Sequence, residues 1–162
     1  MTTGKEIKVD SVAGHFKATI NRLEFNGDEN RLLSYPINYS QNKFAWSIQA
    51  EQLSKAERTV VIINFPTKLE PVSEAQFEFS DKLDSETTAA AYVVVYDAQH
   101  LAKKFTSKSG SLSVTYSQGT AENNRGSFNF EAKLHDKIVK VSGDFDLTGR
   151  TSANAGFAKR SG

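Results

Sequence analysis

Asp144 and Asp146 flank Phe145 in an alternating segment near the C-terminal end of the chain. On a strand, residues two apart project from one face, so the two carboxylates would stand side by side. That spacing can serve a calcium ion or a pair of acids when loop oxygens complete the site. The same alternation sends Phe145 and Leu147 to the opposite face. The aspartates therefore also read as the solvent side of an amphipathic strand, which is the expectation adopted, and no metal ligand is assigned. His15, His100 and His135 are far apart in sequence, just before a strand, on a short helical segment and in a hairpin, and read as three separate imidazoles, not a shared metal site. Residues 26–30 are acidic but lack the twelve-residue EF-hand pattern and read as a turn.

The remaining chemistry is limited by what the chain lacks. It contains no cysteine, which removes disulfides, thiolate zinc sites and a cysteine nucleophile. Nucleophile elbows, phosphate-binding glycine loops, dinucleotide fingerprints and the His-Glu-x-x-His zinc helix are all missing from it. No catalytic residue and no cofactor is expected. Aromatic side chains are the other candidates, because tyrosine and tryptophan can form flat platforms for sugars while phenylalanine prefers a core. The chain has eleven phenylalanines, five tyrosines and one tryptophan. Most phenylalanines fall in phase with other apolar residues and read as core. Tyr35 and Tyr39, on a segment interrupted by Pro36, are the candidate ligand-binding residues. Asn38, Tyr39 and Ser40 also fit the N-glycosylation acceptor pattern, a short match that no secretory signal accompanies.

The elements that would position these residues are strands. Period-two alternation runs through Phe16, Ala18 and Ile20; Phe44, Trp46 and Ile48; Phe77 and Phe79; Leu112, Val114 and Tyr116; Phe128, Phe130 and Ala132; and Val139, Val141, Phe145 and Leu147. Residues 59–65 and 90–96 are continuous β-branched and aromatic runs, expected as central strands covered on both faces. Pro36 assigns its strand to an edge or splits it. Asn21 and Arg22 mark a bulge or a change of face, since Phe25 is out of phase with Phe16, Ala18 and Ile20. Residues 107–110 and 119–126 read as loops, and His135 to Lys137 as a tight hairpin. One helix is expected over residues 98–105, with Asp97 as N-cap and Leu101 and Phe105 spaced i, i+4. A second helical turn is weighed at residues 51–56. Gly126 to Ala132 followed by Val141 to Leu147 resembles the closing hairpin of many unrelated bacterial β-sandwich proteins, a packing pattern that carries no site with it.

The fold class expected is all-β: one antiparallel two-layer sandwich, or alternatively a closed barrel, of about nine or ten strands with one or two short helical turns. The 162 residues suit a single domain, expected at 1–148, with a flexible polar tail over 149–162. Twenty basic and nineteen acidic side chains are interspersed, which argues against nucleic acid as a partner. The longest apolar runs are too short to cross a bilayer as helices, and the N-terminus shows no signal peptide, so the chain is expected in the cytoplasm by default. The leading expectation for function is a non-enzymatic binding or interaction module whose partner is a carbohydrate or a protein. The alternatives are a barrel carrying a small apolar ligand, a self-assembling or membrane-active β protein, and an enzyme without recognisable motifs.

Overall fold

A computed structural model describes residues 12–54, 56–67, 72–119 and 121–151. Among them are ten strands: β1 (Ala13–Ile20), β2 (Leu23–Asn26), β3 (Leu33–Ser40), β4 (Lys43–Leu53), β5 (Arg58–Pro66), β6 (Val72–Ser80), β7 (Thr88–Tyr96), β8 (Ala102–Ser117), β9 (Asn123–Leu134) and β10 (Lys137–Thr148). They form one open sheet in the order β2-β1-β10-β9-β8-β6-β7-β5-β4-β3. The sheet folds over on itself, and a single core collects side chains from both halves: Trp46 of β4 meets Tyr116 of β8, Phe65 of β5 meets Phe77 of β6, and Phe79 of β6 meets Phe130 of β9. All-β architecture and the two-layer arrangement agree with the alternation in the sequence. The alternative of a closed barrel does not hold, because edge strands β2 and β3 are not paired. Near β2 the open edge meets β4 through isolated bonds: Asp28 N–H donates to Glu51 O at 2.8 Å, Asn26 N–H to Gln52 Oε1 at 3.0 Å and Leu53 N–H to Asp28 Oδ2 at 3.3 Å.

The fold-over depends on β8. Its first residues pair with β7 (Tyr92 opposite Thr106, Tyr96 opposite Ala102), while its last residues pair with β6 (Glu78 opposite Ser111, Val72 opposite Ser117). A bulge between Ser107 and Ser109 marks the change of partner. Gly110 follows with φ +131°, a region that L side chains avoid, and a Cβ there would sit 2.1 Å from Asn129 O. At the fork β6 and β7 run parallel for three residue pairs, from Glu78 opposite Thr88 to Ser80 opposite Ala90, so the sheet is not purely antiparallel as expected. Ser107 is fully buried there, donating its hydroxyl to Ser80 O at 2.5 Å and accepting Ala91 N–H at 2.9 Å. One side chain thus replaces the ladder bonds that the fork interrupts.

Several local expectations fail for physical reasons. Residues 98–105 form no helix: Asp97 Oδ1 accepts N–H from Gln99 at 2.9 Å and Leu101 at 3.0 Å, which closes a hairpin turn, and β8 begins at Ala102. Leu101 then points into water at 65% exposure while Phe105 is buried, so the i, i+4 pair never packs. Residues 51–56 are not a helical turn either, since β4 runs on to Leu53. Residues 107–110 lie inside β8, and the 119–126 loop is shorter than expected because β9 starts at Asn123. Asn21 and Arg22, with φ of 49° and 72°, form the two-residue turn of a β1–β2 hairpin instead of a bulge. In β4 the residues from Ala45 to Ile48 are all buried, so this strand is covered on both faces and not one. Helical geometry among the described residues is confined to a 3-10 turn at Glu29–Arg31.

The end of β10 is strapped to both layers. Gly149 N–H donates to Glu122 O at 2.7 Å, and the Arg150 Nε and Nη2 groups each donate to the Glu122 carboxylate at 2.6 Å. Tyr116 OH donates to the same carboxylate at 2.8 Å, and the Arg150 guanidinium lies 5.2 Å from the centre of the Trp46 ring. Thr151 N–H then donates to Ser34 O at 2.7 Å while its Oγ1 accepts Ser34 N–H at 3.0 Å, which covers part of the exposed edge of β3. Only these first residues of the expected 149–162 tail are described; 152–162 lie outside the described residues.

Two outcomes test these contacts. Ser107→Ala leaves a buried N–H and a buried carbonyl without partners and should cost about 1–3 kcal/mol in chemical denaturation. The Arg150 guanidinium beside Glu122 holds its carboxyl below the ordinary value of 4.5. A depressed folded pKa means that the contribution is complete above about pH 4.5 and is lost as pH falls through the folded value. Glu122→Gln should therefore reduce stability by about 1 kcal/mol at pH 7, and the two proteins should converge in thermal melts as the buffer is acidified below pH 4.

Candidate ligand-binding groove

Register across five strands builds two rows of polar side chains on the outer face of one half of the sheet. Lys17, Asp144, Ser127, Ser113 and Gln76 stand opposite one another in sequence across β1, β10, β9, β8 and β6. His15, Asp146, Arg125, Thr115 and Glu74 form the adjacent row on the same strands. All but Lys17 line a groove of about 570 Å3. With strands about 4.8 Å apart, the rows extend roughly 19 Å across the sheet.

The floor is set from the core side. Gly126 faces inward opposite Phe145, and a Cβ there would meet Ser113 O at 2.4 Å and Phe145 Cζ at 3.1 Å. Without that Cβ, β9 sits down onto the Phe145 ring, and the outer face dips where Gly126 and Val114 pass beneath the polar rows. Phe145 is itself held by stacked contacts with Phe16 and Phe128, at centroid distances of 6.0 and 6.2 Å.

Within the groove, His15 Nε2 lies 3.0 Å from Asp144 Oδ1, and Asn123 Nδ2 donates to Asp146 Oδ1 at 2.8 Å. Both members of the His15–Asp144 pair are open to water, with side-chain exposures of 46% and 61%. Among the described residues Arg125 makes no ion pair, so its guanidinium is free to donate to a ligand. The carboxylates of Glu74, Asp144 and Asp146 accept hydrogen bonds; Arg125 and Gln76 donate; Ser113, Thr115 and Ser127 can do either. No group of three or more His, Asp or Glu suited to a metal ion exists among the described residues.

Asp144 and Asp146 share the solvent side of β10, and that side forms part of the groove. His15 joins them; His100 and His135 sit on hairpin turns elsewhere, with φ of 65° and 56°. Tyr35 and Tyr39 lie on the edge strand β3, at the far end of the strand order from β1 and β10. Tyr35 is half-buried, and its hydroxyl accepts a hydrogen bond from Gln49 Nε2 at 2.8 Å. The structure does not bring the tyrosines to the groove. Sequence reasoning missed Glu74, Gln76, Ser113, Thr115, Arg125 and Ser127. Their outward phase was readable, whereas their alignment across strands depends on the bulge in β8 and on pairings between distant segments. No protein-family model matches this chain, no curated protein matches it, and no solved structure matches it.

Phe145→Ala should cost about 3–5 kcal/mol by removing the ring on which Gly126 rests. Asp146→Ala should cost less than about 1 kcal/mol, since its hydrogen bond lies at the surface. Urea denaturation of the two variants side by side checks that the core ring, and not the carboxylate, holds this part of the sheet.

Proposed function

We propose that this chain is a non-enzymatic binding module whose outer-face groove takes a hydroxyl-rich polar ligand, a short saccharide. The observation that carries this reading is the pair of aligned polar rows around a groove of about 570 Å3, within the size range of small-ligand sites. Carboxylates, an amide, a guanidinium and hydroxyls at strand spacing offer acceptors and donors for successive sugar hydroxyls. The rows repeat at close to the length of one sugar ring. The groove contains no tyrosine or tryptophan plate, so binding would rest on hydrogen bonds and would be weak for a single ring. Tyr35 and Tyr39 stand as a separate candidate platform on β3.

The alternative of an enzyme draws on one observation, the His15–Asp144 contact. Its exposure favours binding over catalysis, because acid and base chemistry gains from exclusion of water. Closed walls around an apolar ligand, which a carrier barrel needs, are not provided by the open sheet. The space among Trp46, Phe65, Phe77 and Tyr116 is about 10 Å3, the size of one water.

A glycan array followed by titration calorimetry should find short saccharides that bind the wild-type protein. Asp144→Ala and Arg125→Ala should each weaken that binding about tenfold with unchanged melting behaviour. Saccharide binding that is indifferent to both substitutions, but is lost in Tyr35→Ala, would move the site to β3. An array with no bound glycan, together with retention of a protein partner that Arg125→Ala abolishes, would replace the saccharide with a protein ligand.

A further inference from the structure

Alternation accounts for the buried apolar residues but not for those left exposed at the hairpin turns. Leu23, Leu101 and Ile138 are 73%, 65% and 42% exposed. Each adjoins a different turn: β1–β2 at Asn21 and Arg22, β7–β8 at residues 97–101, and β9–β10 at His135 and Asp136.

Register places these turns along one rim. Ile20 pairs with Val141, and Lys137, four residues nearer the turn on β10, pairs with Leu134. Thr106 pairs with Lys133, and Ala102, four residues nearer the turn on β8, pairs with Tyr96. The three turns therefore rise in near-equal steps of roughly 10–13 Å along the strands, separated by roughly 10 Å across them.

The same rim is basic. Arg22, Lys103, Lys104, Lys133, Lys137 and Lys140 are all exposed. Among the described residues Lys103, Lys133 and Lys137 make no ion pair, and Lys140 shares Glu131 with Lys108 at 4.0 Å. The carboxylates nearby are Glu24, Asp97, Glu131 and Asp136; that of Glu131 is shared by Lys140 and Lys108, and that of Asp97 is already occupied by the amides of its own turn.

We propose that this rim docks on an anionic lipid bilayer, with Leu23, Leu101 and Ile138 entering the headgroup region and the lysines lying against the phosphates. A nucleic acid would satisfy the lysines but give three aliphatic tips no place to go, and an acidic protein would need a separate apolar recess matched to each of three spaced tips. A bilayer satisfies both, since apolar side chains gain by leaving water and each basic residue near an anionic surface adds a further attraction. Five compact lysine charges and one guanidinium spread along a slanted rim suit a diffuse negative surface better than a single anion pocket.

Co-sedimentation with vesicles tests the proposal. The purified protein should pellet with phosphatidylcholine vesicles containing phosphatidylserine, should not pellet with phosphatidylcholine alone, and should be released as salt is raised. Lys103→Glu combined with Lys137→Glu should weaken the affinity about tenfold or more. Leu101→Ser combined with Ile138→Ser should also weaken it, with both variants retaining the wild-type circular dichroism spectrum. Absence of binding to phosphatidylserine vesicles at low salt would overturn the proposal. So would binding that the lysine variant loses but the aliphatic variant keeps, because a plain polyanion site requires no apolar tips.

Discussion

The change of partner along β8 is the constraint from which the rest of the fold follows. A strand of sixteen residues cannot keep β7 beside it while β6 enters between them, so the ladder must open at one point. Opening a ladder inside a protein strands backbone donors and acceptors away from water. The bulge at Ser107 and Ser109 turns the strand, Gly110 lets it pass close to β9, and the Ser107 hydroxyl satisfies one group on β6 and one on β7. Because β8 belongs to both halves, its bend sets how the two inner faces meet. It also sets where Leu112, Val114 and Tyr116 enter the core.

The interior that results is filled by pairing large rings with glycines. Phe130 stands opposite Gly110, Phe145 opposite Gly126 and Phe128 opposite Gly143. Nine of the ten phenylalanines among the described residues are buried, and a thin two-layer interior can accept that many only if their cross-strand neighbours leave room. Ring packing of this kind controls the outer surface as well. At Gly126 the missing Cβ leaves room for the Phe145 ring, and the polar rows beside it line the groove. The groove is thus a consequence of inward packing, and a change of core ring would be felt by side chains that never touch it.

What the sequence revealed and what it hid divide along this line. Strands with strict alternation, above all the β9–β10 hairpin with Phe128, Phe130, Phe145 and Leu147 inside, were legible because period two is a local signal. Pro36 correctly marked an edge, since it removes a donor whatever the surroundings. Residues 98–105 misled because Asp97 caps a hairpin turn with the same hydrogen bonds that it would offer a helix, and only pairing with β7 decides between them. Residues 107–110 misled because turn-favouring residues also make bulges. The groove was hidden for a deeper reason: each lining residue looks like ordinary strand polarity, and its neighbours are fixed by registers between segments up to about 130 residues apart.

Along β10 the outer face changes character within one strand, from Asp146 and Asp144 through Ser142 to Lys140 and Ile138. A sandwich needs only that this face be polar, and either sign of charge would serve solubility. Separation of the signs places opposite potentials about 20 Å apart, roughly six residues of strand, beyond the Debye length of about 8 Å at physiological salt. Each end then presents its own field to a partner without cancelling the other. The acidic end is concave and ringed by hydrogen-bonding groups, whereas the basic end is a rim with aliphatic tips. A contact at the rim would leave the groove facing sideways into water, open to a soluble ligand while the domain is held at a surface. Two partners of different chemistry can thus be accommodated on one strand face, because the sheet keeps them apart by its length.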